Sequence, residues 1–141
     1  METTNQTMTE KPKFLRFLLG GLIAGLISAA LNNIYSVAHA GLTDFSIPDV
    51  IHFGSITGAS IVPTTIGALC YFGLSRFTSK ATLIFIIVAS VFTLLSCFGP
   101  LQGELPDGSP APDGWIGLTL PMHIIAGLVA VLFIPKYVYR K

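Results

Sequence analysis

The sequence predicts an all-α membrane protein with four transmembrane helices in an antiparallel bundle and both termini in the cytoplasm. Hydrophobic residues make up 52% of the 141 residues and charged residues 11%. The mean hydropathy is +0.73, more apolar than one soluble core of this size could hide. Cytoplasmic flanks of membrane helices retain Lys and Arg, and all eight such residues fall into three short clusters separated by apolar stretches. The clusters are Lys11/Lys13/Arg16, Arg76/Lys80 and Lys136/Arg140/Lys141.

The apolar stretches are long enough to cross a hydrocarbon layer. A helix rises 1.5 Å per residue, so roughly 20 residues span about 30 Å. Residues 1–10 are polar and lack periodicity, which predicts a disordered cytoplasmic tail. Residues 11–141 are predicted to form a single transmembrane domain. Its predicted spans cover about residues 14–38, 47–74, 81–98 and 115–135.

Local signals predict where some of these spans begin. Ser46-Ile47-Pro48-Asp49 is predicted to open the second span, because a hydroxyl at the N-cap and a carboxylate three residues later favour the positive end of a helix. The segment 99–114 contains four prolines and several glycines, which predicts an extended, hydrated loop. Trp115 follows it at the depth of the outer aromatic belt. Pro121 either lies in the first turn of a helix starting at Thr119 or kinks a helix starting at Trp115.

Ala38-His39-Ala40 raises the question of whether the first span is retained. It has the small-x-small form of a signal-peptidase site and follows a basic segment and an apolar stretch, and cleavage would leave three helices. The apolar stretch is about twenty residues, longer than the roughly 7 to 15 of a signal peptide, and Asn32-Asn33 interrupts its end. The first helix is therefore predicted to remain.

Polar residues within the spans recur at helical spacing, so each set lies on one face of its helix. Lipid offers them no hydrogen-bond partner, so they are predicted to face the bundle interior. Counting from the outer helix ends places Asn32 and His123 at a similar depth, about 12 Å below the outer surface. This predicts a ligand pocket that opens outward. In the alternative, the same residues only form hydrogen bonds between helices. The candidate pocket residues are Asn32, Asn33, His52, Thr93 and His123.

Small residues and a proline are predicted to serve helix packing. The first span presents a small-xxx-small surface, which lets two helix backbones approach closely. That surface could pack within the bundle or across a homo-oligomer. The residues assigned to packing are Gly21, Gly25, Pro63 and Gly127.

Several classes of function are disfavoured by missing residues. No Asp or Glu lies in the interior of a span, so the carboxylate used by small proton-coupled multidrug transporters is absent. The histidines His39, His52 and His123 have no Cys or carboxylate beside them and form no i, i+4 pair, so no metal site and no cofactor is predicted. No basic face suits nucleic acid. Cys70 and Cys97 lie near opposite helix ends, which predicts free packing cysteines.

The segment Leu120-Pro121-Met122-His123-Ile124-Ile125-Ala126-Gly127, together with Asn32-Asn33, resembles a family of small bacterial four-helix integral membrane proteins, a domain of unknown function. The resemblance covers about residues 14–138, and its most specific part is the Met-His-x-x-Ala-Gly step. It implies a location in the bacterial inner membrane and a role for His123. It implies no activity.

Two classes of function therefore stay open. In the first, the pocket binds or transports a small amphipathic molecule or a lipid. In the second, the chain is an accessory or structural membrane protein whose outer loop and helix faces bind a protein partner. An intramembrane enzyme is a third class, which the sequence disfavours because the acids available to His123 lie only in loops. In every case the lipid bilayer is the surrounding partner.

Overall fold

The computed structural model describes residues 12–140, and four of its helices are long and apolar enough to span a membrane. This confirms the all-helical prediction and makes the chain a multi-pass membrane protein. The described residues contain no β-strand. The predicted disordered tail, residues 1–10, lies outside the described residues. The helices are α1 (Phe14–Thr43), α2 (Phe53–Phe77), α3 (Ala81–Ser96), α4 (Phe98–Leu101) and α5 (Trp115–Val138), with α3 and α4 together forming the third candidate span.

Helix α2 begins at Phe53, later than the start predicted at Ser46. The N-cap is His52, whose Nδ1 accepts hydrogen bonds from the backbone N–H groups of Gly54 and Ser55 at 3.2 and 3.3 Å. In return the Ser55 hydroxyl accepts one from the His52 backbone N–H at 2.9 Å. This is a capping box in which an imidazole replaces the usual hydroxyl or carboxylate. The predicted start was wrong because the imidazole satisfies the first orphan N–H groups further along the chain.

Other helix ends also differ from prediction. Helix α1 continues to Thr43 and ends where Asp44 adopts a left-handed φ of 54°. The loop between the third and fourth spans begins after Leu101 rather than at 99, because α4 adds a short helical turn. Helix α5, by contrast, begins at Trp115, the residue at which the fourth span was predicted to start, so of the two alternatives for Pro121 the one inside the helix holds.

Helices α1 and α2 pack backbone against backbone. A Cβ atom added at Gly21 would lie 2.7 Å from the Ala68 Cβ, and one added at Gly25 would lie 2.6 Å from the Ile61 Cα. Real Cβ atoms essentially never come so close to a neighbour, so any side chain at these positions would force the helices apart. The small residues therefore set the distance between the two helices.

The start of α1 contacts the ends of α2 and α5. The Arg16 guanidinium donates to the backbone carbonyls of Arg140 at 2.6 Å and Val138 at 3.4 Å. The Arg76 guanidinium donates to the carbonyl of Pro12 at 3.4 Å. A cation is favourable beside the last carbonyls of a helix, which carry partial negative charge. These contacts bring residues of all three basic clusters to one end of the bundle.

Candidate functional site

A column of buried polar residues runs along α1. Ser28, Asn32 and Ser36 recur every four residues, so they lie one above another on the helix. Asn32 is 4% exposed, and its Nδ2 donates to the Oγ of Ser60 in α2 at 3.3 Å. Ser60 and its helix neighbour Thr64 are buried as well. The column therefore joins α1 to α2 through one side-chain hydrogen bond, from Asn32 to Ser60.

Two atoms in this column lack a hydrogen-bond partner in the described part of the chain. They are the Oγ of Ser28 and the Oδ1 of Asn32. Leaving such a group buried and unpaired costs about 1–3 kcal/mol by protein mutational data. Both atoms can accept a hydrogen bond, so water or a ligand group that donates one would be favourable here.

Asn33 belongs to the same interface but is satisfied. Its Nδ2 donates to the Ala29 carbonyl at 2.8 Å and to the Thr57 hydroxyl at 3.4 Å. The first bond stays within α1 and the second crosses to α2. Asn33 therefore fastens the two helices together.

One turn above Asn32, a tyrosine joins α1 to α5 at the internal proline. Pro121 has no N–H, so the carbonyl of Gly117, four residues earlier, loses its intrahelical donor. The Tyr35 hydroxyl donates to that carbonyl at 2.7 Å. A side chain of α1 thus replaces the hydrogen bond that the proline removes from α5.

His39 lies one further turn along α1 and packs against the same part of α5. Its ring centroid is 5.8 Å from that of Tyr35 and 5.6 Å from that of Phe45. A Cβ added at Gly117 would lie 3.3 Å from the His39 Cε1, so the imidazole covers that glycine closely. The buried Nε2 of His39 has no hydrogen-bond partner among residues 12–140.

An open cavity of about 550 Å³ lies beside this imidazole. Phe45 forms part of its wall and is held by Gly114, where a Cβ would lie 2.9 Å from the Phe45 Cδ2. Gly114 also has a φ of 92°, which side chains rarely adopt, so glycine is required there for two reasons. The exposed residues Asp44 and Asp113 line the cavity too. The full lining is His39, Thr43, Asp44, Phe45, Ser46, Pro112, Asp113, Gly114 and Gly117.

Comparison with known proteins gives a family match over nearly the whole chain. The model of a family of unknown function, DUF6069, matches residues 12–139. The chain belongs to DUF6069. This confirms the resemblance to an uncharacterised family of small four-helix proteins. No curated protein and no solved structure matches the chain significantly.

In this DUF6069 member the two predicted pocket histidines lie in different settings. His52 is exposed and caps α2, as described above. The half-buried His123 places its Nδ1 2.8 Å from the carbonyl of Thr119, one turn earlier in α5. A carbonyl only accepts, so this contact requires a proton on Nδ1.

The remaining predicted residues serve different interfaces. Thr93 donates its hydroxyl to the Ala89 carbonyl at 2.8 Å, and its side chain lies directly against Gly127 of α5. Pro63 is exposed in the middle of α2. The structure thus joins Asn32 and Asn33 to α2, and Thr93 to α5. A pocket shared by Asn32 and His123 stays a prediction.

Tyr35, His39 and Gly117 were not among the residues predicted to form the pocket. Tyr35 and His39 continue the polar stripe that contains Asn32, so periodicity already marked their face of α1. The spacing of Gly117 and Pro121 also signals a carbonyl in need of a donor. Trp115 is 6% exposed, and its Nε1 is without a partner in the described residues, so it packs into the protein rather than against the lipid interface.

Among residues 12–140 no group of three His, Cys, Asp or Glu side chains is close enough to hold an ion. Cys70 is exposed and Cys97 is buried, and both are free thiols. What the site offers is an aromatic wall, carboxylates and unpaired hydrogen-bonding atoms, which suit reversible binding of a small molecule.

Proposed function

We propose that this protein binds or transports a small amphipathic molecule or lipid through a pocket that opens on the outer side of the membrane. The observation that carries the proposal is the cavity of about 550 Å³ beside His39. Ligand pockets commonly measure about 300–1,000 Å³ and combine apolar walls with a few polar groups. Phe45 supplies apolar wall here, and Thr43 and Ser46 supply hydroxyls.

The outward opening rests on a proposed orientation, an antiparallel bundle in the bacterial inner membrane with both termini cytoplasmic. The contacts of Arg16 with Arg140 and of Arg76 with Pro12 support it, because they gather basic residues at one end. The segments that line the cavity carry acidic residues, and no Lys or Arg occurs in residues 17–75 or 81–135. Cytoplasmic flanks retain basic residues, so the end with the cavity is assigned to the outside.

The polar column extends the proposed site inward. His39 and Asn32 are seven residues apart on α1, which is two turns or about 10 Å along the helix. Ser36 lies between them on this face of α1, and the unpaired oxygens of Asn32 and Ser28 follow it along the column. Asn33, His52, Thr93 and His123 do not line this cavity, and their part in ligand binding stays a proposal, to be tested by substitution.

A binding titration tests the proposal. Trp115 is the single tryptophan of the chain, and it lies between the cavity residues Gly114 and Gly117 in sequence. A dibrominated twelve-carbon amphiphile quenches a tryptophan only at close range, so it should quench Trp115 with a saturable curve in protein purified in unbrominated neutral detergent. Thr43→Leu adds apolar bulk at an exposed cavity position and should weaken this quenching.

The matched control is Gly58→Leu, because no atom lies within 4 Å of a Cβ at Gly58. It should titrate as the wild type does. Quenching that rises without saturation and is the same in all three proteins would refute the pocket.

A second candidate function is an accessory role in which the outer loop binds a protein partner. The observation that favours it is the fixed shape of this loop. The carboxylate of Asp107 accepts hydrogen bonds from the Ser109 backbone N–H at 3.0 Å and hydroxyl at 2.6 Å, and Glu104 pairs with Pro110 in an isolated β-bridge. Replacing residues 104–110 with a Gly-Ser linker should leave the amphiphile titration intact if the pocket is the functional site. The accessory role instead predicts no saturable titration in either protein.

A further inference from the structure

We propose that the basic end of the bundle binds the head group of an anionic phospholipid. This end is formed by the start of α1, the end of α2, the start of α3 and the end of α5. The cavity beside His39 lies at the other ends of α1 and α5, so the inference goes beyond the proposed function and does not depend on it. The support comes from the charge balance of this end, the contacts among its cations, its helix starts and the apolar side chains beside it.

The charge of the basic end is not balanced within the chain. Every Asp and Glu of residues 12–140 lies in segments 44–49 or 104–113, beyond the other ends of the helices. Residues 1–11 and 141 add two acidic and two basic side chains, which leaves the excess unchanged. A compensating anion is therefore expected from outside the chain. The basic side chains of the described part are Lys13, Arg16, Arg76, Lys80, Lys136 and Arg140.

Backbone contacts gather several of these cations around the start of α1. Nη1 of Arg16 donates to the Arg140 carbonyl at 2.6 Å, and Nη2 of Arg76 donates to the carbonyl of Pro12, next to Lys13, at 3.4 Å. These carbonyls hold the guanidinium groups in place but carry no net charge. Each bond uses one terminal nitrogen, and both arginines are exposed. The planar guanidinium has five N–H donors in a fork that matches a phosphate group.

Both long helices that start at this end have a lysine in the capping position. Lys13 is the N-cap of α1 and Lys80 that of α3, neither side chain caps its helix, and neither helix has an acidic residue in its first turn. A helix start carries partial positive charge and free N–H groups, so it favours an anion. Helix α2 starts at the other end and is capped by His52 and Ser55. Membrane topology requires basic residues in these flanks, but it does not require both helix starts to lack an acid.

Apolar side chains beside these cations favour a lipid as the source of the anion. Phe14 and Leu15, in the first turn of α1, are 48% and 59% exposed, and Phe77, next to Arg76, is 90% exposed. At the end of a membrane span such side chains meet hydrocarbon while the neighbouring cations reach the head groups. A phospholipid supplies both hydrocarbon and phosphate. A free phosphate supplies only the charge.

The test measures lipid binding to the full-length protein in neutral detergent by native mass spectrometry. Dioleoylphosphatidylglycerol and dioleoylphosphatidylcholine share their acyl chains and a phosphate, but only the first has a net negative charge. The phosphatidylglycerol should bind about tenfold more tightly, and added ammonium acetate should weaken its binding more than that of the phosphatidylcholine. Equal affinities of the two lipids would refute the inference.

Substitution of the two N-cap lysines locates the site. Lys13→Gln and Lys80→Gln remove cations that cap no helix, so the fold should not depend on them. Each should weaken phosphatidylglycerol binding by about threefold to fivefold, the effect of one cation near a membrane surface, and should leave phosphatidylcholine binding unchanged. The matched control is Gln102→Glu, which lowers the net charge by the same amount at an exposed position beyond α4. It should bind both lipids as the wild type does.

Three results would overturn the proposal. Wild-type affinity in both lysine variants would show that the basic end is not the binding site. An equal loss in the Gln102→Glu control would show that only the net charge of the protein matters. Displacement of the phosphatidylglycerol by excess inorganic phosphate would show that the site recognises a free anion rather than a lipid.

Discussion

Removing the Tyr35 hydroxyl should destabilise the protein by an amount that depends on Pro121. Tyr35→Phe keeps the ring but leaves the Gly117 carbonyl without a donor, because the proline provides no N–H. A net hydrogen bond is worth about 0.5–1.5 kcal/mol, and interhelical bonds in membranes average about 0.6 kcal/mol. We therefore expect a loss of about 0.5–1.5 kcal/mol in the free energy of unfolding.

The double-mutant cycle with Pro121→Ala is the decisive measurement. Alanine restores a backbone N–H that can bond the Gly117 carbonyl within α5. In that background Tyr35→Phe should cost less than about 0.3 kcal/mol, since the carbonyl already has a donor. Reversible unfolding in mixed micelles, followed by circular dichroism, gives each free energy. Tyr137→Phe controls for loss of a tyrosine hydroxyl elsewhere. Equal costs of Tyr35→Phe with and without the proline would refute the reasoning.

Three further predictions concern packing, pH and topology. Gly25→Ala should lower the free energy of unfolding by about 1–3 kcal/mol through overpacking. Gly58→Ala, at an open helix position, should be neutral or stabilising. Equal melting temperatures of the two variants would contradict the close contact at Gly25. The Ser109 hydroxyl and backbone N–H lower the pKa of Asp107 below its ordinary value of 3.8. These hydrogen bonds therefore stabilise the turn fully above pH 3.8. The stabilisation is lost as the pH falls through the lowered pKa of Asp107. An NMR titration of the Asp107 carboxyl should show this, and Ser109→Ala should raise the pKa again. Single cysteines at Asn5, Thr78 and Glu104, in a background without Cys70 and Cys97, test the orientation. A membrane-impermeant reagent added outside intact cells should label only the cysteine at 104. Labelling at 5 or 78 would overturn the orientation.

The four candidate membrane spans and their helical structure were predictable because two strong signals agree. Apolar stretches of about twenty residues demand helices in a bilayer, and the grouping of basic residues divides the stretches. The helix ends were less predictable, because competing local interactions decide them. A serine at 46 looked like the N-cap of α2, but the imidazole of His52 reaches the first free N–H groups of the helix instead.

The candidate site was only partly predictable for a related reason. Helical periodicity identifies the face on which Asn32, Tyr35 and His39 lie, because it depends on α1 alone. It does not identify what that face meets. The contact of Tyr35 with Gly117 depends on how α1 and α5 pack, and the position of Phe45 depends on a loop held by Gly114. Both require the three-dimensional arrangement of segments far apart in sequence.

The contact of Arg16 with the end of α5 has a consequence for how the protein is made. Arg16 lies in the first turns of α1, and its acceptor carbonyls belong to Val138 and Arg140. Helices α1 and α2 can associate while the ribosome is still synthesising the chain, since Gly21 and Gly25 need only α2. The basic end of the bundle cannot close until α5 has been synthesised through Arg140 and has packed against α1. Until then the guanidinium of Arg16 lacks these acceptors, so closure of the basic end follows the pairing of α1 with α2.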